Sequence, residues 1–223
     1  MTTLLVLAAI ATWLYTRYKR RPRTGPGASA AARARQLRTP AVRIADAFNI
    51  PTQQGALADR SEAGAEGERR TAARINPLRR EGWTILHDLA LPTGKANVDH
   101  LAISPTGVVI MPDTKRWSAR FRIRTSGGRL FHGDLDVTNR LNGVRHETRT
   151  IAKALGVPVI PLIVMDGAPI EGGELTFDGI RIVPAERAPE TLRQLGRDRT
   201  GHDAQALAAR ATHLFPPHTR KHQ

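Results

Sequence analysis

The chain has 223 residues, carries a net charge of +14 and contains no cysteine. This length allows one sizeable domain with short additional segments, and the lack of cysteine excludes disulfides, thiolate metal sites and a cysteine nucleophile. The charge is unevenly distributed, because nine of the 34 basic residues lie between positions 16 and 45, where there is no acidic residue. The rest of the chain is therefore only mildly basic.

The first 18 residues form the most apolar segment of the chain. They contain the uncharged run LLVLAAIATWLY, which the basic run RYKRRPR follows closely. We predict a membrane-anchor helix over residues 1–18, in a single-pass protein of the cell membrane with its N-terminus outside and its remaining residues in the cytoplasm. The run is shorter than the ~20 apolar residues of a typical span, so a helix lying on the membrane, a cleaved signal peptide and a buried helix are alternatives.

Residues 19–59 are predicted to form a basic linker. Between Pro22 and Thr39 the sequence is rich in Pro, Gly, Ala and Arg and has no periodic apolar face, which is typical of a mobile segment. Its charge would attract anionic lipid or nucleic acid, or would only fix the orientation in the membrane. A short helix is predicted around Val42 to Phe48.

The next predicted elements are a helix, a strand and a β-hairpin. Ser61 is expected to cap a helix that runs from about Glu62 to Asn76. A strand is predicted over Trp83 to Leu91, where apolar residues are frequent. The hairpin consists of Val98 to Ser104 and Val108 to Thr114, joined by a turn at Pro105-Thr106-Gly107.

Three charged residues stand at one end of this hairpin. Asp113 and Lys115 point to the same face because strand side chains alternate, and Asp99 lies near the matching end of the neighbouring strand. Burying these carboxylates is costly without a partner such as a divalent cation. Mg²⁺ or Mn²⁺ held by Asp99 and Asp113, with Lys115 acting on water or phosphate, would suit phosphodiester hydrolysis. The alternative is a solvated Asp113–Lys115 ion pair.

The second half of the chain completes an α/β pattern. A second hairpin is predicted around Ser126-Gly127-Gly128, and a nearly all-apolar strand over Val157 to Met165 is expected to be covered on both sides. One or two strands follow within Leu175 to Val183, and helices are predicted over Val137 to Leu155, Pro189 to Leu195 and Asp203 to Leu214. The predicted fold class is a mixed β-sheet flanked by helices, preceded by an N-terminal hydrophobic helix.

Two groups of arginines are candidates for binding nucleic acid. Arg120, Arg122 and Arg124 alternate along the second hairpin and would share one face, which would either contact a phosphate backbone or guard an edge strand. Arg145 and Arg149 lie one turn apart on the predicted helix over Val137 to Leu155, where they would contact DNA or belong to a solvated face.

Four short motifs occur in a particular order and spacing. They are Gly64-x-x-Gly67-Glu68, Val98-Asp99-His100, Gly107 followed by an apolar run, and Asp113-Thr114-Lys115-Arg116-Trp117. Through these motifs the stretch from Gly64 to Phe121 resembles the nuclease-related domain family, NERD, which is grouped with the PD-(D/E)xK, restriction-endonuclease-like fold. Many relatives carry glutamate at the position of Asp113, and the shorter arm of aspartate would move a bound ion.

The resemblance implies a restriction-endonuclease-like core over residues 60–215, followed by a tail at residues 216–223. It makes Glu68 a further catalytic carboxylate, although an exposed glutamate in an early helical turn is an equal alternative. The expected function is a membrane-tethered, Mg²⁺-dependent nuclease that acts on DNA and needs no organic cofactor. A non-catalytic nucleic-acid-binding or scaffold module is the rival, because a fold alone does not define an activity. The oligomeric state is left open.

Overall fold

The computed structural model describes residues 24–92, 97–198 and 201–218. Its α-helices are α1 (Ala28–Leu37), α2 (Pro40–Ala47), α3 (Gln53–Ile75), α4 (Asn142–Leu155), α5 (Ala188–Leu195) and α6 (Ala204–Leu214). Its strands are β1 (Thr84–Ala90), β2 (Asn97–Ile103), β3 (Val109–Arg116), β4 (Ile123–Ser126), β5 (Arg129–His132), β6 (Leu135–Asp136), β7 (Val159–Asp166), β8 (Leu175–Phe177) and β9 (Ile180–Pro184). Short 3-10 helices span Asn76–Glu81, Thr138–Leu141 and Ala185–Arg187.

The main sheet has six strands in the order β1-β2-β3-β7-β9-β8. The pairs β1–β2, β2–β3 and β8–β9 are antiparallel, whereas β3–β7 and β7–β9 are parallel. Strands β4, β5 and β6 form a separate small antiparallel sheet. The helix α4 connects β3 and the small sheet to β7, as a parallel connection requires.

Side chains alternate along the central strands, so each face of the main sheet has its own apolar core. On one face Met111 packs in a cluster with Ile151 of α4 and residues of α6. On the other face Ile110 packs in a cluster with Ile75 of α3 and residues of α5. The prediction of a mixed sheet with helices on both sides is confirmed.

The helix α3 is longer than predicted. It begins after Thr52, whose side-chain oxygen accepts a hydrogen bond from the amide of Gly55 at 3.0 Å. Ser61 lies inside the helix and its hydroxyl donates to the carbonyl of Leu57 at 2.9 Å. The prediction that Ser61 caps the helix is therefore wrong, because the Ala-rich turns before it continue the helix and its hydroxyl bonds back to the preceding turn instead.

The segment predicted as a linker contains α1, which packs on α3. The contact uses small residues, since Ala28 and Ala34 are buried and Gly27 sits so close to α3 that a Cβ there would lie 2.5 Å from the carbonyl oxygen of Ala65. Alanines lower the apparent amphipathicity of a helix, which explains why the sequence showed no apolar face. Residues 28–37 are thus part of the folded unit.

The predictions for the two ends of the chain are only partly covered by the described residues. The predicted anchor over residues 1–18 and residues 219–223 of the predicted tail lie outside the described residues. Within the described segments, no helix has the length and apolar character needed to cross a membrane. The start of the tail is ordered on the sheet edge, where the amide of Ala90 donates to the carbonyl of Pro216 at 2.8 Å.

Candidate active site

The candidate site lies where β2 and β3 separate. Their backbone pairing comprises Ala102–Ile110 and Ile103–Val109, and the same register places Asp99 opposite Asp113. Here a side chain of β2 contacts the backbone of β3: the amide of Thr114 donates a hydrogen bond to Oδ2 of Asp99 at 3.0 Å. Along β3 the odd-numbered residues Val109 and Met111 belong to the core on the α4 side, so alternation places Asp113 and Lys115 on that side. Along β2 the same core contains Leu101 and Ile103 but also Val98, so the alternation is interrupted near Asp99.

Asp113 and Lys115 form an ion pair at this point. Oδ2 of Asp113 lies 2.6 Å from Nζ of Lys115, and Asp113 is only 6% exposed. Apart from this ion pair, Oδ2 has no hydrogen-bond partner among the described residues. Burial alone would lower the pKa of Lys115, but the carboxylates of Asp113 and Asp99 outweigh it and raise that pKa. The ammonium therefore stays charged.

Glu68 approaches the strands from α3. Gly67 allows this approach, because a Cβ at Gly67 would lie 3.3 Å from the side chain of Thr114 on β3. Glu68 is buried, and burial together with the charges of Asp88 and Asp113 raises its pKa to about 7. Its Oε2 has no hydrogen-bond partner within the described residues. The glutamate is thus not a solvated residue in an early helical turn.

Asp99 shares this electrostatic environment. Burial and the charges of Glu68 and Asp113 raise its pKa well above the usual range, while Lys115 and the amide of Thr114 oppose the shift only partly. Glu68, Asp99, Asp113 and Lys115, the predicted site residues, therefore interact electrostatically with one another. If Glu68, Asp99 and Asp113 were all ionised, their negative charge would exceed the single positive charge of Lys115.

Glu147 of α4 belongs to the same site and was missed in the sequence. Burial and the charge of Asp113 raise its pKa to about 7, and its own charge adds to the raised pKa of Lys115. Val144 and Ile151 form the buried face of α4, and Glu147 lies three residues after the first and four before the second. Helical spacing alone would have placed this glutamate on the face that meets the sheet.

Asp88 is a second residue that the sequence analysis missed. It is fully buried in β1 with a φ of 52° and lies between the pairs His87–His100 and Leu89–Val98, which is the level of Asp99 in β2. The amide of Ser29 in α1 donates to its Oδ2 at 3.2 Å, and the side-chain amide of Asn97 donates to its Oδ1 at 3.3 Å. The backbone amide of Gly27 donates to Glu68 in the same way. The first turn of α1 thus partners two of the buried carboxylates.

A pair of histidines, the fully buried His100 and the half-buried His87, joins β1 and β2. Oδ1 of Asn76 accepts from Nε of Arg79 at 3.2 Å and contacts Nε2 of His87 at 2.9 Å, so Nε2 of His87 carries a proton. Its Nδ1 then accepts from Nδ1 of His100 at 2.8 Å. Burial lowers the pKa of His87 to about 4, with a smaller contribution from Arg79, and lowers that of His100 well below its usual range. Both rings are neutral and hold β1 against β2.

The five arginines predicted to bind nucleic acid lie in different parts of the structure. The strand β4 begins only at Ile123, so Arg120 and Arg122 precede it and only Arg124 lies within it. Arg145 is engaged, because its Nε lies 2.8 Å from Oδ2 of Asp178. Arg149 is exposed on α4.

The comparisons with known proteins bear on the central part of the chain. Residues 63–166 match the family model described as NERD, nuclease-related domain. These residues are similar to the NERD family, and we call them the NERD segment. The NERD segment runs from α3 to the end of β7 and contains Glu68, Asp99, Asp113, Lys115 and Glu147, whereas α1 and α2 precede it. No curated protein and no solved structure matches the chain.

The NERD segment contains no ready-made metal cage in its described residues. In the part of the chain that the structure describes, no group of three or more histidine, cysteine, aspartate or glutamate side chains is placed to hold a metal ion together. A Mg²⁺ ion, however, is commonly bound by one or two carboxylates with waters completing its coordination. The carboxylates of Asp99 and Asp113 are therefore the candidate ligands for such an ion.

Proposed function

We propose that this protein is a Mg²⁺- or Mn²⁺-dependent nuclease with a restriction-endonuclease-like core that hydrolyses phosphodiester bonds of DNA. The observation that carries the proposal is the cluster of Asp99, Asp113, Glu68 and Glu147 around Lys115 where β2 and β3 separate. Buried carboxylates with raised pKa values are costly for the fold and are typical of functional sites. The NERD match covers all five residues, which supports a nuclease-related role for the cluster.

The donor atoms suit a divalent cation. Oε2 of Glu68 and Oδ2 of Asp113 are buried oxygens without a hydrogen-bond partner among the described residues, apart from the ion pair of Asp113 with Lys115. Hard oxygen donors are the ligands that Mg²⁺ and Mn²⁺ prefer. Asp99 and Asp113 would hold the ion, which would supply an activated water and neutralise charge on the phosphate.

The protein side chains have separate tasks in this proposal. Lys115 carries a permanent positive charge beside Asp113, so its ammonium orients the attacking water and stabilises the negative charge that develops on the phosphate. Glu68 and Glu147 both have a pKa of about 7. Near neutral pH they exchange protons readily, so they are suited to accept a proton from water.

Cleavage of DNA by the full-length protein tests the proposal. Circular, linear and single-stranded DNA are incubated with and without Mg²⁺, and products are followed on gels. We expect cleavage only with the metal, and a loss of at least about 100-fold in Asp113→Ala and Asp99→Asn. Asp198→Asn is the matched control, since Asp198 is an exposed aspartate. Equal rates for Asp113→Ala and the control would contradict the proposal.

One observation favours a second function, a non-catalytic nucleic-acid-binding or scaffold module. Asp113 is already neutralised by Lys115 at 2.6 Å, so this carboxylate has a counter-charge without any metal. In that case the protein would bind DNA in the assay above and leave it intact with either Mg²⁺ or Mn²⁺. Binding without cleavage in both metals would favour this second function over the first.

We also propose that residues 1–18 attach the protein to the cell membrane, with the NERD segment in the cytoplasm. The support is the sequence alone, namely an apolar run followed by a dense cluster of basic residues. This orientation would keep the proposed nuclease on the side where DNA is found.

A further inference from the structure

An aromatic surface lies directly beyond the candidate site. The strand β3 ends just after Lys115, and the chain then passes Trp117 and crosses to the small sheet. The ring of His132 lies 5.4 Å from that of Trp117 and 5.7 Å from that of Phe121, measured between centroids. Nε2 of His132 contacts the carbonyl of Ser118 at 2.9 Å, which fixes the ring between its neighbours.

The outer part of this surface is exposed to solvent. Phe121 is 46% exposed and Leu135 is 54% exposed, and Leu135 pairs across the strands with His132. The ring of Phe121 rests on Gly133, where an added Cβ would lie 3.0 Å from the ring. We define the aromatic surface as Trp117, Phe121, His132 and Leu135. Its inner side is fixed by contacts within the protein, and its outer side is exposed to solvent. Two exposed apolar side chains beside two half-buried rings form a candidate binding surface.

Unpaired arginines border the aromatic surface. The guanidinium of Arg120 lies 5.5 Å from the ring centroid of Phe121, and that of Arg140 lies 5.4 Å from the ring centroid of Trp117. Arg122 is exposed beside them. Arg124 and Arg129 have ion-pair partners on this sheet, whereas Arg120, Arg122 and Arg140 form no salt bridge within the described residues. The charge at this edge therefore complements a phosphate backbone.

We propose that the aromatic surface binds a single-stranded DNA segment, with a base stacked on Phe121 and phosphates contacted by Arg120, Arg122 and Arg140. A duplex offers its phosphates but keeps the faces of its bases stacked inside, so it would leave Phe121 and Leu135 without a partner. A single strand offers both, and base–aromatic stacking tolerates any sequence. The inference rests on the proposed function, because it specifies the form of nucleic acid that reaches Lys115.

Binding without metal separates this inference from catalysis. Fluorescence anisotropy is measured in EDTA with the full-length protein and three labelled probes of about 20 nucleotides: a thymidine oligonucleotide, a duplex and an abasic strand with the same number of phosphates. We expect the thymidine strand to bind tightest. The abasic strand should bind about ten-fold more weakly, because it lacks the stacking contribution.

Two sets of variants assign the contacts. Phe121→Ala should weaken binding of the thymidine strand about ten-fold and leave the abasic strand unchanged, whereas Phe48→Ala, at a 74% exposed phenylalanine that directly follows α2, should change neither. Replacing Arg120, Arg122 and Arg140 by glutamine should lower the salt dependence for all probes, by about 0.7 per lost phosphate contact on a single strand.

Specific outcomes would overturn the inference. These are equal binding of the thymidine and abasic strands, a tighter duplex, or equal effects of Phe121→Ala and Phe48→Ala. Circular dichroism and the melting temperature verify that each variant is folded. Binding is measured in EDTA, where a metal-dependent nuclease does not cleave, so failure of the nuclease proposal and failure of this inference give different results.

Discussion

Four acidic side chains, those of Glu68, Asp99, Asp113 and Glu147, act on the single ammonium of Lys115. Burial is the largest cause of the raised pKa values of Glu68, Asp99 and Glu147, and repulsion from neighbouring carboxylates adds to it. Buried carboxylates without sufficient counter-charge destabilise a fold. The cluster is therefore retained at the expense of stability, which is expected where residues are placed for a function rather than for the fold.

The titration of Glu68 gives a testable dependence of stability on pH. Its pKa rises from 4.5 to about 7 on folding, so the folded state binds the proton more tightly than the unfolded state. The contribution of Glu68 to the free energy of unfolding therefore falls as pH rises from about 4.5 to about 7, and is constant above. Glu68→Gln should stabilise the protein by on the order of 2 kcal/mol at about pH 8.

The measurement is chemical denaturation of the full-length variant and the wild type at several pH values. The stabilisation by Glu68→Gln should disappear below about pH 4.5, where both states of the wild type are protonated. Glu171→Gln, at an exposed glutamate, is the control and should change little. If Glu68→Gln were less stable than the wild type at about pH 8, the prediction would be contradicted, because the folded protein would then stabilise the charged carboxylate of Glu68.

At the scale of elements, α1 is joined to the site by its first turn. The backbone amides of Gly27 and Ser29 donate to Glu68 and Asp88, and Oγ of Ser29 accepts from the side chain of Asn97 at 2.8 Å. Amides at a helix N-terminus stabilise negative charge. The contact depends on the close approach of Gly27 to Ala65, so a side chain at position 27 should displace the turn.

Gly27→Ala should be more damaging than an equivalent change elsewhere. Gly27 and Gly128 both have a φ of 71°, but a Cβ at Gly27 would lie 2.5 Å from a backbone oxygen whereas a Cβ at Gly128 meets nothing within 4 Å. Both variants carry the strain of a positive φ, about 1–2 kcal/mol. We expect Gly27→Ala to lose at least about 1 kcal/mol more in denaturation.

Limited digestion with trypsin adds a local measurement to the same comparison. Arg33 and Arg35 are exposed on α1, so loosening of its backbone should make trypsin cleave after them faster in Gly27→Ala than in Gly128→Ala. Equal stability and equal digestion of the two variants would mean that α1 does not need its close contact with α3.

The elements show why some features were predictable from the sequence and others were not. The hairpin β2–β3 was predictable because a period of two and a Pro-Thr-Gly turn mark it, and the alternation of β3 places Asp113 and Lys115 on one face. The helix α1 buries only small side chains, so its sequence has no apolar stripe. Glu147 was not singled out from the sequence, although its spacing from Val144 and Ile151 places it on the buried face of α4.

At the scale of the whole molecule, the folded part extends further towards the N-terminus than the NERD match. The match begins at residue 63, whereas α1 packs on α3 from Ala28 onwards. A shortened protein that lacks the proposed anchor should therefore begin near Thr24. Removing residues up to 40 would also remove the helix whose amides contact Glu68 and Asp88.

Fractionation of cells tests the proposed anchor. Full-length protein should be recovered with membranes, and the version that begins near Thr24 should be soluble, because it lacks the apolar run of residues 1–18. Alkaline carbonate would release a helix that lies on the membrane surface and leave a spanning helix in place. Recovery of uncleaved full-length protein in the soluble fraction would refute both modes of attachment.

The most direct test of the central claim is the binding of Mn²⁺ to the full-length protein, measured by electron paramagnetic resonance of the free ion. If the carboxylates between β2 and β3 form a metal centre, the wild type and Asp198→Asn should bind Mn²⁺ saturably. Asp99→Asn and Asp113→Asn should each lose at least about ten-fold in affinity, since each removes one of two carboxylate ligands. Absence of saturable binding, or equal binding by all four proteins, would contradict the claim that this cluster is a metal-dependent nuclease site.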